Sequence, residues 1–253
     1  MILYFTGTGN SKVVAVCLAQ ALEDTVASMN AVMGRGEALS VYSEKPYVIV
    51  APIHAWRYPA AVEQLLREAD LQGSREVYCI AAMGENSGNA DKALSKLFGA
   101  KGMTFKGFCG VVMPNNYIAG WDVDSPEEVR QMLTDGVTKT RQLAEKIKAG
   151  ETLRKDDKTP MAGLMSGIVN YGFRNFMLKG QLFTVSDACV GCGVCMKACP
   201  VGNITVMDGK AVFGENCMGC YSCIHRCPAR AINIKDKTEN RGRYVCPEYR
   251  DWK

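Results

Sequence analysis

The sequence predicts an α/β fold in two parts. A doubly wound, five-stranded parallel sheet is expected over residues 1–150 and a small α+β module over 181–253, joined by a linker and docking helix over 151–180. Three observations predict it. Short apolar runs alternate with stretches of helical periodicity through the first 150 residues, the pattern of strands wound with crossover helices. Polar glycine turns close the carboxyl ends of those runs, where open α/β sheets place their ligands. The last third writes one cysteine spacing twice, at 189–200 (CVGCGVCMKACP) and 217–228 (CMGCYSCIHRCP), among short alternating strands. At 253 residues the chain has room for one ordinary domain and a smaller one.

Taken in order, strands are expected near 1–6, 25–30, 46–51, 76–83 and 105–113, and helices near 10–23, 59–69, 89–98 and 126–149. The loops TGTGNS, APIHAWRYP, AAMGENSGN and MPNNYIAG then fall together at one edge of the sheet. ETLRKDDKTP reads as a charged linker. GLMSGIVNYGFRNFMLK places Leu164, Ile168, Tyr171 and Phe176 at helical spacing, as in a helix that docks one part on the other. NITVMDGKAVF and RAINIKD alternate as short strands, with a turn at Asp208-Gly209.

Strand, polar glycine turn and helix at the N-terminus make a phosphate site. The backbone N–H groups and the hydroxyls of Thr6, Thr8 and Ser11 converge where a helix begins and its dipole favours an anion. A Walker loop fails here, because Lys12 follows Ser11 and precedes Val13. The dinucleotide fingerprint starts at Gly7 and Gly9 but meets Lys12 at its third glycine. The stretch does resemble the flavodoxin phosphate loop, matched by Thr6, Gly7, Thr8, Gly9, Asn10 and Ser11. That resemblance implies a flavodoxin-like sheet and FMN, with Thr6, Thr8, Gly9, Asn10 and Ser11 on the phosphate. It also implies that the loop after the third strand, with Pro52, His54 and Trp56, covers one face of the flavin ring. The fourth-strand loop of Met83, Gly84, Glu85, Asn86 and Gly88 then reads the ring's polar edge. No tyrosine stands in that loop to stack on the second face. His54 and Tyr117 are candidate catalytic groups beside that open face.

The pattern C-x-x-C-x-x-C-x-x-x-C-P occurs at Cys189, Cys192, Cys195, Cys199, Pro200 and again at Cys217, Cys220, Cys223, Cys227, Pro228. It resembles the run of bacterial two-cluster ferredoxins, in which the fourth cysteine of each run reaches across to the other cluster. The resemblance implies two 4Fe-4S clusters, one on Cys189, Cys192, Cys195 and Cys227 and the other on Cys217, Cys220, Cys223 and Cys199. Zinc ribbons also use C-x-x-C pairs, but a third and fourth cysteine before proline, all duplicated, argue against zinc.

Composition agrees. No export signal opens the chain, so a cytoplasmic, reducing compartment is expected, and the 12 cysteines read as metal ligands plus a few buried thiols rather than disulfides. No run reaches the roughly 20 apolar residues of a membrane span. The formal charge of +4 arises in the cysteine-bearing half, where each cluster with its thiolates adds about two negative charges. A nucleic-acid partner is therefore not expected.

Together with MPNNYI at 113–118, CPVGNI at 199–204 and the C-terminal RGRYVCPE, these motifs make the chain similar to the flavodoxin-ferredoxin fusion proteins of anaerobic bacteria. The resemblance spans nearly the whole chain. It implies a flavodoxin-like domain, a bacterial ferredoxin-like domain and electron transfer among two 4Fe-4S clusters, FMN and an acceptor, with a ferredoxin-type donor or a reductase as protein partner. The alternative is an FMN-dependent reductase acting on a small-molecule acceptor near His54, Asn115, Asn116 and Tyr117. The eight cysteines of the two runs complete both cluster sites, so Cys246 in RYVCPEY is not a ligand. Cys246→Ser, prepared anaerobically, should keep the iron content of the wild type; a loss of iron would overturn this assignment.

Overall fold

In the computed structural model, the described residues are 1–177 and 182–247, the side chains of 176 and 177 excepted. The chain begins with β1 (Ile2–Tyr4), α1 (Asn10–Leu22), β2 (Val26–Ser28), α2 (Met29–Arg35), β3 (Ser40–Ser43) and β4 (Tyr47–Pro52). It continues through α3 (Ala60–Glu68), β5 (Asp70–Gly73), β6 (Glu76–Met83), α4 (Ala90–Ala100), β7 (Thr104–Val112) and α5 (Pro126–Lys148). Five of these strands form an all-parallel sheet in the order β2-β1-β4-β6-β7. The chain therefore reverses direction across the sheet between β1 and β4, and a crevice opens at that switch point.

Strand periodicity divides the core into two layers. In β4, Val48 and Val50 face the layer that holds α1 and α5, whereas Tyr47, Ile49 and Ala51 face the layer of α3 and α4. Both faces are buried, so the strands read as unbroken apolar runs. The long α5 starts sharply: Ser125 and Glu128 form a reciprocal capping box, and Pro126 occupies the first turn.

The sequence did not predict α2 or the separate parallel pair of β3 and β5. SVYS and DLQG are too short and too polar to show a strand period. Their pairing is supported instead from below, where the Tyr47 hydroxyl shares its one proton between the backbone oxygens of Val41 and Gln72. The segment ETLRKDDKTP is not a free linker either. Leu153 is buried and its N–H donates 2.8 Å to Lys106, while Asp156 pairs with Lys139 at 2.6 Å.

Residues 162–177 are helical, with π-turns at Met165–Val169 and Phe173–Met177. The helix packs inward through polar residues. Leu164, Ile168 and Tyr171, expected to dock, face solvent, with Ile168 73% exposed, and the side chain of Phe176 lies outside the described residues. The surface beneath presents backbone carbonyls and a buried carboxylate, which need donors rather than methyl groups.

In the C-terminal module, β8 (Phe183–Val185) pairs antiparallel with β11 (Ile232–Ile234). Between them, β9 (Ile204–Met207) and β10 (Lys210–Phe213) form a hairpin turned at Asp208-Gly209, both with positive φ. One short helix follows each cysteine loop, Val194–Ala198 and Ser222–Arg226. The tail returns to the first layer, where Tyr244 and Cys246 pack in the core of α1 and α5. Among the described residues no helix is long and apolar enough to cross a membrane.

Tyr58 is fully buried under the sheet, and its hydroxyl shares its one proton between the backbone oxygens of Ile80 (2.8 Å) and Ile49 (3.1 Å). Tyr58→Phe leaves those acceptors without this donor, and it should destabilise the protein by about 1–2 kcal/mol in denaturant unfolding. An unchanged midpoint would show that the strands alone satisfy them.

Candidate functional site

A cleft of about 750 Å³ opens at the carboxyl ends of β1, β4, β6 and β7. Its walls include Thr6, Thr8, Asn10, Ser11, Pro52, His54, Trp56, Met83, Gly84, Glu85, Asn86 and Tyr117, all singled out by the sequence. Two expected residues are not on the wall. Gly9 lies behind it with φ 118°, and a Cβ there would sit 2.8 Å from the Cβ of Cys246. Gly88 is covered by Ser166 and by Trp56. Both glycines allow close approach by other segments of the chain, a structural use of the same backbone freedom.

The glycine turn is fixed from several sides. Asn30 clamps Thr6, accepting from its N–H at 3.0 Å and donating to its oxygen at 2.8 Å. Thr6 in turn accepts from the N–H of Gly9 at 2.9 Å. The tail closes over the turn, with the N–H of Cys246 donating 2.8 Å to the oxygen of Thr8 and the Tyr244 hydroxyl donating 2.6 Å to Asn10 Oδ1. Cys246 thus belongs to the wall behind the glycine turn and stands apart from both groups of paired cysteines.

His225 joins the modules at this point. The N–H of Tyr244 donates to its Nδ1 at 3.1 Å, so the proton sits on Nε2, which donates to the oxygen of Asn116 at 2.8 Å. Asn116 in turn donates from Nδ2 to Thr8 Oγ1 at 2.8 Å. Burial pushes the His225 ring down to about 4, which keeps it neutral in this role.

Around Trp56 the backbone makes a tight two-residue turn. His54 and Arg57 bridge, and Ala55 and Trp56 both have positive φ, 45° and 66°, values that side-chain-bearing residues avoid. Asn170 from the helix above donates to the oxygens of Ala55 (2.7 Å) and His54 (3.3 Å), and the Ser166 hydroxyl donates to Trp56 at 3.2 Å. Arg174 donates to Tyr58 and pairs with the buried Glu63, which also takes Arg57 at 2.8 Å. Among the described residues His54 Nδ1 is buried without a partner, and burial pushes its ring down to about 4. On the other side, Ser87 is held by Asp157 through both its N–H (3.0 Å) and its hydroxyl (2.6 Å).

The eight paired cysteines ring two small spaces. Cys189, Cys192, Cys195 and Cys227 line one, with Val190, Gly191 and Gly193; Cys199, Cys217, Cys220 and Cys223 line the other, with Phe183, Met218 and Tyr221. The structure brings together the two crossed sets the sequence implied. Burial pushes the Cys220 thiol up to about 12. Sequence reasoning missed the cleft residues Gly219 and Tyr221, because they sit inside the cysteine run and carry no signal of a second surface. A chain of rings connects the two regions: Trp121 to Tyr117 at 5.7 Å, Tyr117 to Tyr221 at 5.6 Å, and Tyr221 to Phe183 at 6.3 Å between centroids.

Residues 1–118 match the flavodoxin domain family, and residues 182–228 match the 4Fe-4S dicluster domain family. Among solved structures, the chain is similar to a flavodoxin from the domain Archaea, at 14% identity over 58% of this chain and 97% of that one, with a TM-score of 0.35. It is similar to two-electron reduced Megasphaera elsdenii flavodoxin at 16% identity, over 55% and 99%, with a TM-score of 0.34. It is also similar to a flavone reductase at 9% identity, over 84% and 73%, with a TM-score of 0.34. No curated protein matches the chain.

Asn170 is the polar anchor of the strained turn. Asn170→Ala should destabilise the protein by about 1–2 kcal/mol. In thermal unfolding this lowers the midpoint by a few degrees, and an unchanged midpoint would mean that the turn holds without the helix.

Proposed function

From a chain that joins a flavodoxin domain to a 4Fe-4S dicluster domain, we propose an electron-transfer protein that relays electrons between two 4Fe-4S clusters and a bound FMN, and on to an acceptor. The observation that carries this reading is a shared wall: Tyr221 lines both the cleft and one cysteine-ringed space. Clusters of this kind exchange electrons singly, and a flavin singly or in pairs, so the combination suits a one-electron protein donor and an acceptor of either kind.

The residues present fit these groups. Thr6, Thr8, Asn10 and Ser11 surround a helix start where an anionic phosphate is favoured. Among the described residues one such loop lines the cleft, which favours FMN over FAD or a nicotinamide dinucleotide. Pro52, Trp56 and the 83–86 backbone offer an apolar wall and a polar edge, and the unpartnered His54 Nδ1 offers a hydrogen-bonding atom beside them. Each thiol set supplies four ligands around one space, the number a cubane takes.

The test removes one ligand from each thiol set without altering the cleft wall. Cys192→Ala with Cys199→Ala should retain flavin that chromatographs as FMN and that is still bleached by a strong chemical reductant. Its reduction by a reduced ferredoxin, followed by anaerobic stopped-flow absorbance, should be slower by orders of magnitude. Unchanged reduction by that protein donor, or recovery of FAD, would refute the proposal.

A further inference from the structure

The two cysteine-ringed spaces are not equivalent with respect to the cleft. The loop that carries Cys217 and Cys220 presses on the first domain: a Cβ on Gly7 would collide with the backbone oxygen of Cys220. Gly219 and Tyr221 line the cleft itself, and Met218 packs in the α3/α4 core layer with Cys220 at its margin. The space ringed by Cys199, Cys217, Cys220 and Cys223 therefore backs directly on the cleft.

The other space has no residue of 1–150 in its wall. It lies at the surface. Cys192 is exposed, and so are Val190 (73%), Val194 and Met196 beside it. Among the described residues the wall carries no charged side chain, and the exposed Lys197 and Arg230 flank it in the chain, while nearby Asp187 is paired with Lys210 at 2.5 Å.

Resting on the relay proposed above, we infer that the Cys199/Cys217/Cys220/Cys223 site is the inner, flavin-facing station and that the Cys189/Cys192/Cys195/Cys227 site is the outer port, where an acidic one-electron carrier protein docks. An apolar rim around an exposed ligand brings a partner's own redox group close while excluding water. The flanking cations select an acidic partner through charge complementarity, which acts mainly on the association rate. One electron passes from the partner's reduced group to the outer site and on to the inner, oxidising the partner and reducing this protein, with no bond made or broken.

The crossed ligand sets allow an experiment that sequence order cannot mimic, since each set takes a cysteine from the other run. In holoprotein, Cys199→Ala with Cys217→Ala empties the inner station, and Cys189→Ala with Cys227→Ala empties the outer; each should keep about half the iron. In partly reduced samples, the microwave power that half-saturates the flavin's EPR signal reports a nearby paramagnet. It should fall severalfold in the inner variant and stay at the wild-type value in the outer one. The reverse pattern, or no change in either, overturns the order of stations while leaving the relay standing; a wild type without flavin sinks the relay itself and this inference with it. For the port, Lys197→Glu should leave the cluster absorbance and dithionite reduction intact but lower the rate constant with a reduced acidic ferredoxin several-fold and flatten its salt dependence. An unchanged rate constant places the docking surface elsewhere.

Discussion

One neutral histidine carries the joint on which the site depends. His225 is buried with each ring nitrogen satisfied, one by the Tyr244 N–H and the other by the Asn116 oxygen. Through Tyr244 it is tied to Asn10, and through Asn116 to Thr8, so two of the polar side chains of the glycine turn are linked to the other domain. A charged ring would lose the bond from Tyr244, because imidazolium has no acceptor, and a buried unpaired cation costs far more than a buried neutral ring. Burial therefore selects the one protonation state that the network can use.

The helix over 162–177 follows the same logic with its faces reversed. A surface helix ordinarily turns apolar residues inward. Here the inward positions are Ser166, Asn170 and Arg174, because what lies below is a strained turn with outward carbonyls and the buried Glu63. Hydrogen bonds fix direction more sharply than methyl packing does, which suits a contact whose task is to hold Trp56 in an unfavourable backbone region. Glu63, paired with both Arg57 and Arg174, balances the cations this arrangement brings in.

The legible parts of the sequence were those where one local rule sufficed. The apolar run YVIVAP, the doubled cysteine spacing and the TGTGNS turn are each legible within a dozen residues, and the structure places them in a central strand, around two small spaces and on the cleft wall. Illegible parts needed knowledge of a distant surface. Ile168 and Tyr171 looked like a docking stripe because helical spacing says which residues share a face but not which face is covered. Gly9 and Gly88 are visible in the sequence as turn glycines, but it does not show that Cys246 and Trp56 occupy the space their missing side chains leave. Tyr221 was invisible as a cleft residue because its neighbours Cys220 and Cys223 dominate the pattern.

The Tyr244 to Asn10 bond spans 234 residues of chain, and it seals a loop made in the first dozen. Contacts of such separation close late, since the entropy of the intervening loop must be met before they contribute. During synthesis the sheet can assemble while its glycine turn still lacks Tyr244, His225 and Cys246, all of which leave the ribosome after both cysteine runs have begun. The turn is therefore completed only when the iron-binding half has been made, and the two halves mature as one unit although each contributes its own core.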